Sequence, residues 1–167
     1  SFYVIEKFKW STAEVGYSLG AAGVFMVVVQ GGLIRTVIAK IGSERAAYVG
    51  LLFAVAGYLG YAFAPNGLTI YIFLAVASLA GLAAPSINAI ITTAVPANAQ
   101  GELQGALSSL SGIAAIIAPI LMTYVFGYFT APAAPVHFAG APFILSALFE
   151  LMAIGLLVRV IRRSHLR

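Results

Sequence analysis

The chain has 167 residues, of which 62% are hydrophobic and only 8% are charged, and its net charge is +4. Charged residues make up about a quarter of a typical soluble protein, so this chain has too few to cover a soluble globular surface. It contains no cysteine, which excludes disulfides, thiolate metal sites and cysteine nucleophiles.

Five apolar runs follow one another along the sequence, each long enough to cross a bilayer. About 20 apolar residues in an α-helix span the hydrocarbon core, which is about 30 Å thick. The runs lack the strict alternation and the ten-residue segments of a membrane β-barrel. We therefore predict an all-α integral membrane protein embedded in the lipid bilayer. The predicted spans are residues 15–37, 46–64, 68–95, 103–129 and 142–161.

The segment before the first span predicts the end of another helix and the start of the next. Residues 1–5 are apolar but too few to span, and no charged segment precedes them as in a signal peptide. We interpret them as the stub of a sixth helix. Trp10 then suits a membrane interface, and Ser11 and Glu14 have the spacing of a helix capping box.

Three spans carry stripes of small residues at helical spacing. Such stripes allow close contact between helices in a membrane. We expect the third stripe, with its proline, to let the fourth span pack and flex. The stripes are Gly16, Gly20 and Gly23 in the first span, Gly50, Ala54 and Gly57 in the second, and Gly105, Gly112 and Pro119 in the fourth.

The basic residues predict the orientation of the chain. Lys7 and Lys9 precede the first span, whereas the other seven of the nine Lys and Arg residues lie at the end of that span, in the loop after it or at the C-terminal end. Cytoplasmic segments are enriched in Lys and Arg, so we predict a cytoplasmic C-terminus. Topology explains these charges without a nucleic-acid partner. The seven residues are Arg35, Lys40, Arg45, Arg159, Arg162, Arg163 and Arg167.

Two amides lie within predicted spans, Gln30 in the first and Asn88 in the third. Such groups can orient a substrate in a central cavity. They can equally join helices by hydrogen bonds worth about 0.6 kcal/mol on average. Pro85, one turn before Asn88, cannot donate a backbone hydrogen bond and predicts a bend in the third span.

Glu150 is a carboxylate near the centre of the fifth span. A charge at that depth is costly and usually faces a cavity or carries a proton. One interpretation is a carboxylate that couples transport to protons or recognises a cation. The other is a neutral Glu that bonds to a neighbouring helix or reaches water.

No catalytic constellation is visible in the sequence. His137 and His165 lack metal-ligand spacing, and neither a nucleophile elbow nor a phosphate-binding glycine loop is present. We therefore predict a protein that is not an enzyme and has neither a metal site nor a cofactor.

Four features together resemble the C-terminal half of a major facilitator superfamily transporter, and the tetracycline/proton antiporters most closely. Residues 8–19 (FKWSTAEVGYSL) are similar to that family's turn into its eighth span, and residues 40–46 (KIGSERA) to the loop between spans eight and nine. Residues 100–110 (QGELQGALSSL) resemble the start of span eleven and are the most specific stretch. Pro119 matches a family proline within that span.

The resemblance implies that residues 1–167 are one transmembrane bundle, with the N-terminal bundle of six helices absent. It implies transport of a small molecule by alternating access, with the proton gradient as energy source and the bacterial inner membrane as location. Arg35, Lys40, Glu44 and Arg45 would belong to the cytoplasmic loop or gate.

Two positions depart from the antiporter pattern. Met26 replaces a histidine that is frequent in the family's span eight, and Ala54 replaces an aspartate that is frequent in span nine. Gln30 falls on a family glutamine, and Asn88 replaces a longer amide. Tetracycline itself is therefore less favoured than a related amphipathic compound.

The predicted function is a proton-coupled exporter of drugs or other small amphipathic compounds, with Gln30 and Asn88 lining its cavity. The composition also fits a membrane-embedded binding or assembly subunit without transport. A transporter of the same fold with a metabolite substrate is a third alternative.

Overall fold

A computed structural model describes residues 2–164, and within that range the chain forms helices and no strands. Ser1, His165 and Arg167, which entered the predictions above, lie outside the described residues. The α-helices are α1 (Phe2–Phe8), α2 (Thr12–Val28), α3 (Ile34–Phe63), α4 (Gly67–Ser78), α5 (Ala83–Thr93), α6 (Gln100–Thr130) and α7 (Ala141–Ser164). A π-helical segment, Val29–Leu33, joins α2 to α3, and 3-10 segments, Leu79–Leu82 and Ala97–Ala99, precede α5 and α6.

Four continuous helical stretches among the described residues are long and apolar enough to cross a membrane. With the absence of strands from residues 2–164, they confirm the predicted all-α membrane fold. The stretches are Thr12–Phe63, Gly67–Thr93, Ala97–Thr130 and Ala141–Arg163.

The first stretch holds two spans. Its 52 residues would measure about 78 Å as a straight helix, more than twice the thickness of the hydrocarbon core. Gly42 interrupts it with φ 80° and ψ 162°, a conformation that favours glycine. The sequence predicts a loop between the spans ending at 37 and beginning at 46. The structure instead continues as helix on both sides of Gly42, so the connection is a kink at one residue.

The second half of α3 is the packed centre of the bundle. A Cβ atom placed on Gly50 would lie 2.5 Å from the backbone nitrogen of Ala83, and one on Gly57 would lie 2.7 Å from Cβ of Ala77. Ala54, between them, is 6% exposed. The close contact predicted for this stripe is therefore confirmed, because α4 and α5 approach α3 where only small residues fit.

The glycine stripe of α2 has no such contact within the described chain. No heavy atom of residues 2–164 outside the local helix backbone lies within 4 Å of a Cβ placed on Gly16, Gly20 or Gly23. The close contact expected there is thus not formed in this structure, and the face is open.

The capping box at the start of α2 is confirmed. The Glu14 backbone N–H donates to Oγ of Ser11 at 3.3 Å, and the Ser11 backbone N–H donates to Oε2 of Glu14 at 2.7 Å. Glu14 precedes the first predicted span. The backbone N–H and the hydroxyl of Ser11 hold the pKa of the Glu14 carboxyl below its usual range, because both stabilise its charged form.

The end of α3 is held by side chains from α1. The Tyr3 hydroxyl donates to the carbonyl oxygen of Tyr61, and Nζ of Lys7 donates to that of Ala62 at 3.3 Å. Both carbonyls belong to the last turn of α3, where a cation is favourable. Tyr3 also enters an apolar cluster with Ile70 and other residues of α3, α4 and the segment before α7.

Pro85 interrupts the third predicted span. Because proline has no backbone N–H, Pro85 cannot donate the helical hydrogen bond to the carbonyl of Gly81, four residues earlier. The α-helix ends at Ser78, tightens into the 3-10 segment and resumes at Ala83. This interruption agrees with the bend predicted from the sequence. Pro119, by contrast, lies inside the continuous helix α6.

Candidate functional site

A groove of about 640 Å³ lies between α5 and α6. It reaches the size range of small-molecule pockets. Apolar and polar side chains share its walls, so it can hold an amphipathic ligand. Its lining is Ala84, Ile87, Asn88 and Ile91 on α5, and Gln104, Leu107, Ser108 and Ser111 on α6.

Asn88, a predicted cavity residue, is on the groove wall. Its Oδ1 accepts a hydrogen bond from Nε2 of Gln104 at 3.4 Å and one from Oγ1 of Thr92 at 3.5 Å. Both distances are at the long end for hydrogen bonds. Among residues 2–164 the Asn88 amide nitrogen has no acceptor, so it can donate to a ligand, and a ligand can replace either weak bond at low cost.

Gln100 fixes the turn that closes one end of the groove. Its Nε2 donates to the carbonyl oxygens of Thr92 and Val95, each at 2.8 Å. One of these carbonyls is in the last turn of α5 and the other lies two residues after the helix ends. The helices α5 and α6 are therefore held together at this turn and move apart from each other along the groove.

Three polar residues of the groove wall, Gln104, Ser108 and Ser111, are not among the predicted cavity residues. The spacing of Gln104, Leu107, Ser108 and Ser111 places them on one helix face, and this signal was available in the sequence. The sequence does not show that this helix face lines a cavity, because that depends on the divergence of α6 from α5.

Gln30, the other predicted cavity amide, lies in the π-helical segment between α2 and α3 and is exposed. It is not among the residues that line the groove between α5 and α6. The structure therefore does not place the two amides in one pocket, and a shared role for them stays a prediction.

Glu150 lies on the face of α7 that packs against α3. Ala147, three residues earlier on that face, is 2% exposed. Tyr58 and Ser146, one turn before Glu150, line a cavity of about 270 Å³ between α3, α6 and α7. Glu150 is half-buried on this face and does not itself line the cavity.

The predicted loop and gate residues flank the kink at Gly42. Arg35 and Lys40 are exposed in the helix before the kink, whereas Glu44 and Arg45 follow it. Gly105 and Gly112 of α6 have no heavy atom of residues 2–164 within 4 Å of an added Cβ, apart from their own helix backbone. Their predicted packing role, like that of Pro119, is untested by the contacts within this chain.

The described residues contain no group of three or more His, Cys, Asp or Glu side chains that could hold a metal ion. The polar chemistry of the groove comes instead from amides and hydroxyls. Such groups bind and orient a ligand by hydrogen bonds.

Comparison with known proteins gives one family. The family model described as Major Facilitator Superfamily matches residues 1–166. The tetracycline resistance protein, class G, of Vibrio anguillarum is 30% identical over 124 residues, which are 74% of this chain and 32% of that protein. The class C protein of Escherichia coli is 26% identical over 121 residues, 72% of this chain and 31% of that protein.

A eukaryotic protein is also similar. The hippocampus abundant transcript 1 protein of Mus musculus is 22% identical over 127 residues, which are 76% of this chain and 26% of that protein. The chain thus spans between a quarter and a third of the length of these relatives. No solved structure is significantly similar to it.

Proposed function

Because the chain belongs to the Major Facilitator Superfamily, a family of membrane transporters, we propose that it is the C-terminal bundle of a proton-coupled exporter. Its substrates are drugs or other small amphipathic compounds. The N-terminal bundle of the same transporter supplies the other wall of the cavity. The tetracycline resistance proteins among its relatives support this assignment.

The observation that carries the proposal is the groove between α5 and α6. Asn88 and Gln104 share a long hydrogen bond on its wall, and the hydroxyls of Ser108 and Ser111 lie further along α6. Isoleucine and leucine side chains fill the intervening wall. This alternation of amide, hydroxyl and apolar surface suits a ligand that has both polar groups and an apolar body.

The substrate proposed here is tetracycline-like in its amphipathic character rather than tetracycline itself. Ala54 stands where the resembling exporters often carry an aspartate, and it lies on the packed stripe between Gly50 and Gly57. An aspartate would bring a charge into that tight contact at high cost. Met26, in place of a histidine, is 55% exposed on α2 and offers a thioether instead of a titratable group.

Glu150 is the proposed coupling residue. It is a half-buried carboxylate on the face of α7 that packs against α3, one helical turn after Ser146, which lines the cavity between α3, α6 and α7. A carboxylate in this position gains or loses a proton with a large change in its interaction energy. Protonation can therefore change how α7 packs against α3 and α6.

The proposed orientation follows the charges. Arg162 and Arg163 lie in the last turn of α7, and Arg35 and Lys40 lie before the kink at Gly42. With these residues on the cytoplasmic side, Lys7 and the start of α2 are exoplasmic. The proposed location is the bacterial cytoplasmic membrane, and no cofactor is required.

The test is reconstitution of the full-length transporter in proteoliposomes with an imposed proton gradient. Efflux of a fluorescent amphipathic drug, including a tetracycline derivative, is measured with and without a protonophore. The proposal expects export that the protonophore abolishes. Export that is insensitive to the protonophore, or no export of any compound in an amphipathic panel, would contradict it.

A further inference from the structure

The helix α2 departs from α-helical geometry at one place, and its packed face shows why. Val15, Ser18, Ala22, Phe25 and Val29 are buried or half-buried at steps of three or four residues. The next half-buried residue is Ile34, five residues later. The backbone N–H of Ile34 donates to the carbonyl of Val29, which is the hydrogen bond of a π-helix. The widened turn keeps the face in register and leaves residues 30–33 exposed.

A second departure lies in the neighbouring span. The 3-10 segment Leu79–Leu82 separates α4 from α5, and Pro85 withholds the N–H that an α-helix would give to the Gly81 carbonyl. The hydroxyl of Ser86 is fully buried and has no hydrogen-bond partner among residues 2–164. A buried unsatisfied polar group is rare and marks a conformation held by its surroundings.

The widened and the tightened segments touch each other. Val29, 4% exposed, packs on Gly81, since a Cβ placed there would lie 3.8 Å from Cγ1 of Val29. Both segments depart from the α-helical hydrogen-bond pattern, so each bends at lower cost than the α-helix around it. Bending of one displaces the contact surface of the other.

We propose that the Val29–Gly81 contact is the fulcrum of a paired hinge, in which α2 and the α4–α5 span bend together. Each half of the hinge carries one of the predicted cavity amides. Gln30 follows Val29 directly, and Asn88 follows Gly81 by two helical turns. Bending at the fulcrum therefore reorients both amides in one movement. The function of this hinge rests on the proposed transport activity, but the experiment that tests the hinge does not require transport.

The test is hydrogen–deuterium exchange of the full-length transporter in lipid nanodiscs. The Pro85→Ala variant restores a backbone donor for Gly81. It should slow amide exchange in residues 79–85 by about fivefold, the effect of one net hydrogen bond. Because the hinge is paired, exchange in residues 29–34 should slow as well. The matched control is Pro119→Ala, which removes a proline from the uninterrupted helix α6 and should leave both segments unchanged.

The paired hinge would be overturned if amide exchange slowed only in residues 79–85. It would also be overturned if exchange slowed equally in the Pro119→Ala control. If Pro85→Ala does not fold, Gly81→Ala replaces it. Its methyl group would be in ordinary contact with Val29, and alanine favours helix over glycine, so the same paired slowing is expected. Paired slowing in a protein that exports nothing would support the hinge and contradict the exporter.

Discussion

The amide nitrogen of Gln104 on α6 lies 3.4 Å from the amide oxygen of Asn88 on α5, and this pair bridges the groove between the two helices. The bond is long and its partners are exposed, so it contributes little to folding. A ligand can therefore break this bond at low cost and then bond to both amide groups.

Replacing either amide should change transport more than folding. We expect Asn88→Ala and Gln104→Ala to raise the KM for an amphipathic substrate about three- to fivefold, the worth of about one hydrogen bond. Drug accumulation assays over a panel of compounds would measure the change in preference. Ser109→Ala is the control, because its hydroxyl bonds within α6 to the Gly105 carbonyl at 2.9 Å. Equal loss of folded protein in both amide variants, with unchanged drug preference, would indicate helix contact instead.

Glu150→Gln removes the titratable proton and keeps the shape of the side chain. If Glu150 couples export to protons, the variant should lose uphill efflux driven by a pH gradient but still equilibrate substrate downhill. Proteoliposome flux at several pH values separates the two activities. Glu102→Gln is a matched control, because Glu102 is exposed in the first turn of α6. Unchanged uphill efflux at every pH would show that Glu150 is structural.

The glycines of α3 and α6 should respond oppositely to the same substitution. Gly50→Ala places a methyl group 2.5 Å from the backbone of Ala83, and we expect it to destabilise the bundle by about 1–3 kcal/mol. The methyl group of Gly112→Ala has no heavy atom of residues 2–164 within 4 Å apart from its own helix backbone, so this variant should leave the bundle as stable or more so. Thermal unfolding in detergent would measure both.

The glycine substitutions also test the predicted packing role of Gly112. If its face contacts the N-terminal bundle, Gly112→Ala should reduce transport by the full-length protein without lowering the stability of the C-terminal bundle. Full transport activity in this variant would remove that role.

The capping box at Ser11 and Glu14 predicts a pH dependence of stability. The folded-state pKa of Glu14 is lowered by its hydrogen bonds to Ser11. Its contribution is therefore complete above the ordinary carboxyl pKa of 4.5 and is lost as the pH falls through the lowered value. Unfolding measured from pH 6 to pH 3 should show a smaller acid-dependent loss in Glu14→Gln than in the parent. The same acid-dependent loss in both would contradict the assignment.

Much of the fold could be predicted because membrane insertion imposes simple rules on a sequence. Apolar length identified the helices, the Gly50 stripe identified a packed face, and Pro85 identified an interruption. The kink at Gly42 was predicted as a longer loop, because the charges of residues 35–45 mark a segment outside the apolar spans without showing whether it is helical. The π-helical segment could not be predicted, because it depends on which residues pack, here Val29 and Ile34 on one face.

The candidate site was predicted only in part. Asn88 was identified because an amide within an apolar span stands out. Gln104 and Ser108 were not, because polar side chains near the start of a helix do not by themselves indicate a cavity. Only the divergence of α6 from α5, a three-dimensional fact, makes them walls of a groove.

The central claim is that substrate binds between α5 and α6, and cysteine protection tests it most directly. The chain has no native cysteine, so a single Ser111→Cys in a cysteine-free full-length transporter would report on the groove alone. Its rate of maleimide labelling should fall several-fold when an exported drug is added, whereas Ser109→Cys, outside the groove lining, should label at the same rate. An unchanged labelling rate for Ser111→Cys at saturating drug would contradict the account.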